Sequence, residues 1–300
     1  MTRRLLSLLA LAALGGCGGA TPSPPAPTDP TLSQTQRLAR LAYDQDRPDQ
    51  AATLYRQALD RAWRRDDLQA IGDAGYNLAI VELRRGDPVS ALDVARSTQA
   101  ELLRRGAGVP ADLQLVEAVA LYRSGDGAAS AELAATVVGR ADASVETVAR
   151  ANFLTGLIAD ERGDTDTLAA VLAALAEPAD SATEADRDEL AGRLALRQGN
   201  PAAARAAFER AADTRRNLLD DRGMARALSL AGTAAEAEGE TAAAADFYLR
   251  AGRTAALSGD GTDANRWLAR AGQLARQTAS ASIAREADFW LDRLDKSGKS

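Results

Sequence analysis

Residues 192–211, GRLALRQGNPAAARAAFERA, decide the fold. Gly192, Gly199, Ala204 and Ala211 are small residues spaced to lie where two paired helices cross, with Phe208 between the last two. Gly199 suits the end of one helix and Asn200 the cap of the next. Pro201 suits the first turn of that helix, where no amide donor is needed. The arrangement returns in residues 232–251, GTAAEAEGETAAAADFYLRA, with Gly232, Gly239, Ala244, Tyr248 and Ala251 at the same offsets.

Working outward, short punctuators of the same kind occur at Asp46-Arg47-Pro48, Gly86-Asp87-Pro88, Gly125-Asp126, Gly163-Asp164, Gly199-Asn200-Pro201 and Gly239-Glu240. Counted from residue 46, the intervals are 40, 39, 38, 36 and 40 residues. A period of this size marks a solenoid of helical hairpins, each burying its apolar face on its neighbours. Alanine makes up almost a quarter of the chain, which favours helix and lets helices approach closely. Strand-like alternation is scarce between the punctuators, so the chain is read as all-α.

The small and large positions resemble the tetratricopeptide repeat. The first unit places Ala39, Ala51, Tyr55 and Ala58 at the family offsets, and the second places Leu78, Ala79, Gly86, Asp87 and Ala91 there. The resemblance spans residues 31–271 and implies an α-solenoid of about six such hairpins plus C-terminal capping helices. It has departures. The usual repeat is about 34 residues long, so these units carry longer helices or loops. Ser130 and Leu168 stand where alanine is expected, and Glu177 to Ser181 interrupt the chain, which predicts irregular stacking between residues 125 and 185. After Gly259-Asp260, the set Ala264, Leu268 and Ala271 has a second-helix pattern without a clear partner before it. A final helix near Ser280 to Leu294 carries Ile283, Ala287, Trp290, Leu291 and Leu294 on one face, with Phe289 off that stripe. A polar-faced cap is its expected role.

The N-terminus has its own signature. Arg3 and Arg4 precede an apolar run from Leu5 to Leu14, followed by Gly15, Gly16 and Cys17, the one cysteine of the chain. The run is too short to span a bilayer as a helix, which takes about 20 residues, but suits a signal peptide. Leu14-Gly15-Gly16-Cys17 resembles the lipobox of bacterial lipoproteins. The resemblance implies peptidase recognition at Leu14, Gly15 and Gly16, lipidation of Cys17, and palmitate-type acyl chains as the anchor. Residues 1–16 are then a leader, and 17–30 a lipidated cysteine with a proline-rich tether. Residues 31–296 form the solenoid. Gly18 follows the cysteine, without the aspartate that retains some lipoproteins at the inner membrane, so the expected address is the periplasmic face of the outer membrane.

Composition narrows the chemistry. Without Arg3 and Arg4, 34 basic residues face 42 acidic ones, a net charge of −8, which disfavours nucleic acid as a partner. There is no histidine, so histidine-based triads, HExxH zinc sites and imidazole acid–base catalysis are excluded. No phosphate loop, dinucleotide fingerprint or nucleophile elbow is present. Asp160/Glu161 and Asp66/Asp67 are adjacent pairs that point apart on a helix and read as surface or caps. Glu236, Glu238 and Glu240 read as surface too. No catalytic residue, metal site or cofactor is expected, and the chain is read as a non-enzyme.

Repeats of this family present a concave groove lined by their first helices. The offsets place Arg40, Tyr43, Asp73, Tyr76, Asn77, Ile80, Arg84, Tyr122, Arg123, Phe153, Arg193 and Arg197 toward it. Tyrosine and arginine carry much interface energy, and arginine can pair bidentately with a carboxylate. Asn77 matches a position that clamps a peptide's terminal carboxylate in some relatives, but the accompanying lysines are absent. The expected function is an interaction scaffold or assembly factor in the bacterial envelope, anchored to the membrane by lipid and partnered by another envelope protein or peptide segment. The alternative is a peptidoglycan or small-ligand binding protein that uses the superhelix as a cradle.

Overall fold

A computed structural model describes residues 29–297. The leader, Leu14, Gly15, Gly16, Cys17 and most of the proline-rich tether lie outside the described residues. Asp29 and Pro30, read from sequence as the end of the tether, belong to the fold instead. Pro30 opens the first helix and Asp29 caps it, accepting from the amides of Thr31 and Leu32. The same carboxylate takes ion pairs from Arg61 at 2.6 Å and Arg65 at 3.3 Å. Burial works against it, but the Arg61 hydrogen bond dominates and holds Asp29 at about 2.

Among the described residues the chain forms fourteen α-helices and no strand. The first hairpin is α1 (Pro30–Asp44) with α2 (Pro48–Arg64), and the second is α3 (Leu68–Arg84) with α4 (Pro88–Arg104). Then come α5 (Ala111–Arg123) with α6 (Gly127–Val138), and α7 (Val145–Arg162) with α8 (Thr165–Ala174). The last three pairs are α9 (Ser181–Arg197) with α10 (Pro201–Asn217), α11 (Asp221–Glu238) with α12 (Thr241–Leu257), and α13 (Gly261–Gln277) with α14 (Ala281–Ser297). None is long and apolar enough to cross a membrane.

The punctuators make the turns as their chemistry dictates. Gly86, Gly125, Gly163, Gly199, Gly239 and Gly259 all have φ between +70° and +87°, a left-handed conformation that terminates a helix cheaply only at glycine. Asp87, Asp126, Asp164 and Asn200 then cap the following helices through their side chains. Each such cap contributes about 1 kcal/mol.

Packing within the later hairpins follows one register. A Cβ added at Gly192 would lie 2.5 Å from the Phe208 ring, and one at Gly232 would lie 3.1 Å from the Tyr248 ring. Phe208 is fully buried, contributing on the order of 2–3 kcal/mol by removal from water. The register continues at Gly252, whose added Cβ would lie 2.6 Å from Leu268. Helix α12 is therefore the partner of the second-helix pattern in α13, and α13 packs closely on both α12 and α14.

The middle of the solenoid is less regular. Helices α6 and α8 have 12 and 10 residues, against 17 for α2, α4, α10 and α12. Ser130 stays fully buried by donating to the Ala118 carbonyl at 2.8 Å, and Leu168 is fully buried in the place of an alanine. Helix α8 packs on α9 less extensively than any other second helix packs on the first helix that follows it. The larger Leu168, the short helix and the break before Ser181 together open this junction.

Candidate functional site

The inner face of the solenoid is built by first helices, and it curls until distant repeats meet. Arg222, at the start of α11, donates to the Arg84 carbonyl at the end of α3 at 3.0 Å, across 138 residues of sequence. It also donates to the Ser258 carbonyl at 3.2 Å. The turn between α10 and α11 stands at this seam, with Leu219 at φ +58° and 85% exposed. Leucine in a left-handed conformation costs about 1–2 kcal/mol, so the seam holds a strained residue. A cavity of about 620 Å³ lies there, lined by residues including Ile80, Arg84, Arg123, Leu219 and Arg222.

A second cavity of about 490 Å³ is lined by α5, α7, α9, α10 and α11. Its apolar wall includes Val119, Phe153, Leu154 and Leu157, and its cations are Arg123, Arg150, Arg193, Arg215 and Arg226. The Arg226 guanidinium lies 5.9 Å from the centre of the Phe153 ring, within cation–π range. Tyr122 donates its hydroxyl to Glu161. Burial first, then that carboxylate, pushes the Tyr122 phenol upward.

The floor of this cavity is an ion-pair network centred on Glu189, which is fully buried. It pairs with Arg226 and Arg215 at 2.9 Å and with Arg193 at 3.0 Å. Burial alone would raise its pKa, but the three guanidiniums outweigh it and hold the carboxyl at about 2. Asp186 pairs with Arg215 at 2.7 Å, yet burial dominates there and lifts it to about 6. Asp160, read from sequence as surface or a cap, is mostly buried and ties Arg193 and Arg197 at 2.9 and 2.8 Å. Glu236 and Glu238 likewise pair with Arg270 and Arg205 in adjacent repeats, because a repeat spacing brings opposite charges into register. Asp67 is the cap of α3, and Asp66 pairs with Arg105.

The twelve sequence-predicted residues all stand on first helices but do not form one site. Arg84 and Ile80 line the seam cavity, Tyr122, Phe153 and Arg193 line the second, and Arg123 lines both. Tyr43 lies under Arg84, 4.6 Å from its guanidinium carbon, and Arg84 also pairs with Asp46 at 3.0 Å. Asp73, Tyr76 and Asn77 line a separate cavity of about 440 Å³ with Leu102, Pro110 and Asp112. The Asn77 amide is turned back to its own helix, donating to the Asp73 carbonyl at 2.7 Å. Burial, then Asp67, raises the Asp73 carboxyl. Arg40 is exposed, and Arg197 is held by Asp160 outside both arginine-lined cavities.

Sequence reasoning missed Arg150, Asp186, Glu189, Arg215, Arg222 and Arg226. One signal was present. Arg226 precedes Gly232 by the same interval as Asp186 precedes Gly192, so the repeat register sets opposite charges at equivalent positions of neighbouring first helices. Arg222 had no signal, since its partner is fixed by the curvature of three intervening hairpins. Among the described residues no group of three acidic or cysteine side chains could hold a metal ion. The arrangement offers fixed guanidiniums beside aromatic and aliphatic walls, which is equipment for binding.

Comparison with known proteins agrees with the geometry. The profile of the tetratricopeptide repeat matches residues 37–108 and 190–260. No curated protein matches the chain. Among solved structures, the apo form of the quorum sensor NprR from B. thuringiensis is similar over 88% of this chain and 86% of its own, at 10% identity and a TM-score of 0.57. The Pseudomonas aeruginosa protein pilF is similar over 77% of this chain and 93% of its own, at 19% identity and a TM-score of 0.51. A Rap protein complexed with competence and sporulation factor is similar over 90% of this chain and 99% of its own, at 12% identity and a TM-score of 0.51. At these identities the likeness is one of fold.

Proposed function

The chain is a tetratricopeptide repeat protein, and from that premise we propose that it is a non-catalytic interaction scaffold whose inner face holds a protein or peptide segment. One observation carries this reading: fixed arginines stand beside Tyr122 and Phe153 around a cavity of about 490 Å³ lined mainly by first helices. Arginine and tyrosine are the residue types that concentrate interface energy. The fold neighbour crystallised with competence and sporulation factor supports the idea that a solenoid of this shape can hold such a factor.

The finer part of the proposal is an address. Cys17 carries the lipid, the proline-rich segment is a tether, and the scaffold works at the periplasmic face of the outer membrane, assisting assembly of another envelope protein. The lipobox residues Leu14 to Cys17 support it. Crosslinking in intact cells, followed by purification of the full chain, is expected to recover one envelope protein reproducibly. Recovery of lipid or glycan alone overturns the scaffold reading. A Cys17→Ala variant is expected to lose acyl labelling and accumulate precursor; labelling that persists overturns the anchor.

The seam favours a second reading. Because Arg222 closes the inner face at 3.0 Å from the Arg84 carbonyl, a compact ligand such as a peptidoglycan fragment could be enclosed. Retention of the detergent-solubilised full chain on purified peptidoglycan is the measurement that would select it.

A further inference from the structure

The acids and bases of the inner face do not cancel locally. Most of the carboxylates around the two cavities are satisfied. Asp46 has Arg84 at 3.0 Å, Asp186 has Arg215 at 2.7 Å, and Asp220 caps α11 while pairing with Arg215 at 3.3 Å. Asp44 and Asp221, at the seam, are exposed. Two cations are different. Among the described residues Arg222 bonds only carbonyl oxygens, those of Arg84 and Ser258, and its buried Nε has no hydrogen-bond partner there. Arg123 donates to the Leu83 carbonyl at 2.8 Å and has no carboxylate partner among the described residues. Residues 1–28 contain no Asp or Glu, so the N-terminal segment has no acidic side chain to supply.

The surroundings of Arg123 sharpen the imbalance. Burial, then the guanidiniums of Arg226 and Arg222, holds Arg123 below the usual arginine value. Arg123 lines both cavities, beside Arg222 in the seam cavity and beside Arg226 in the second, where Phe153, Leu154 and Leu157 form the apolar wall. Like charges gathered in a partly desolvated cavity repel, and an anion placed between them removes that cost while gaining charge-assisted hydrogen bonds.

We propose that the junction of the two cavities is a carboxylate subsite, in which an acidic group of a bound peptide bridges Arg123 of α5 to Arg222 and Arg226 of α11 and an adjacent apolar side chain lies against Phe153. This rests on the reading of the inner face as a peptide-holding surface, and adds the chemistry of the occupant. It also gives the occupant a mechanical effect. Arg222 joins the two arms of the superhelix through the Arg84 carbonyl, so an anion held between it and Arg123 strengthens that contact. Partner binding and closure are then coupled.

The test uses displayed random heptapeptides selected against the full-length protein in detergent, in parallel with Arg123→Gln and Arg123→Lys variants. Recovered peptides are expected to be enriched in Asp or Glu next to an aromatic or aliphatic residue. Each should bind at least ten-fold more weakly to Arg123→Gln, with Arg123→Lys intermediate. Replacing the acidic side chain by its amide, and separately amidating the C-terminus, distinguishes a side-chain carboxylate from a terminal one; the expected ten-fold loss follows whichever group is bound. The unliganded Arg123→Gln protein should melt at or above the wild-type temperature, because an uncompensated cation is removed. A lower melting temperature with unchanged peptide affinity would mean that Arg123 only braces the Leu83 carbonyl, and overturns the subsite. Peptides that bind the inner face without acidic enrichment overturn the subsite and leave the scaffold reading standing. Failure to recover any peptide overturns both.

Discussion

The pairs from α9 to α13 and those from α5 to α8 are made from the same plan with different tolerances. In the later pairs a glycine on one helix faces a large side chain on the next, at Gly192/Phe208, Gly232/Tyr248 and Gly252/Leu268. In the middle, second helices shrink to 12 and 10 residues, with a buried serine and leucine in the alanine positions. The family profile matches residues 37–108 and 190–260 and skips the segment between. That skipped segment supplies Tyr122, Arg123, Arg150 and Phe153 to the inner cavity. The lesson is a division of labour: regular repeats build the two arms, and the irregular middle lets them curl to a seam and furnishes much of the wall between them.

Four substitutions sharpen or break that comparison. The largest effect is expected at Glu189, where the irregular and regular halves join. Glu189→Gln leaves Arg193, Arg215 and Arg226 around a neutral group, and loss of one partner from a buried ion pair costs about 3–5 kcal/mol; denaturant unfolding measures it. The pH dependence has a defined sign. Because Glu189 is held at about 2 in the fold, below the unfolded value of about 4.3, its stabilisation is present above that value. It is lost as pH falls toward 2, and Glu189→Gln should flatten that part of the profile.

Next is Leu168→Ala, which restores the family's alanine but empties a fully buried site. We expect a loss of about 3 kcal/mol from the cavity it leaves; an unchanged midpoint would show that the middle is as regular as the arms. Gly192→Ala makes the opposite change in an arm. The added Cβ would lie 2.5 Å from the buried Phe208 ring, and overpacking of this kind costs about 1–3 kcal/mol. The smallest expected effect is at Asp186. Its folded value of about 6 lies above the unfolded one, so its contribution is full below about pH 4 and declines as pH rises through 6. Asp186→Asn should remove that decline, on the order of 1–2 kcal/mol, as read by thermal melts between pH 4 and 7.

Much of the architecture was legible because it is written locally. Each glycine with a cap residue behind it specifies a turn within four or five residues, and the interval between turns specifies the hairpin. Phe208 and Tyr248 announced their own packing by repeating at the same offset from a glycine. The partner of α13 was less legible, since the register slides by one helix at Gly252 while the turn chemistry stays the same. The site was legible only as a list of first-helix positions. Asn77 illustrates why: its position matched a ligand-clamping one, but the amide satisfies its own helix at the Asp73 carbonyl. Which of those positions meet depends on accumulated curvature, and that depends on the short α6 and α8. The seam of Arg222 with Arg84 is the sum of many small rotations and has no local signature.

The central claim is that a partner is held on the inner face that the seam encloses. A photoreactive phenylalanine analogue placed at Phe153 on α7, and in a second protein at exposed Glu132 on α6, tests it in intact cells. One discrete crosslinked protein is expected from position 153 and none from position 132. Crosslinking from position 132 alone would place the partner on the outer helices and contradict it.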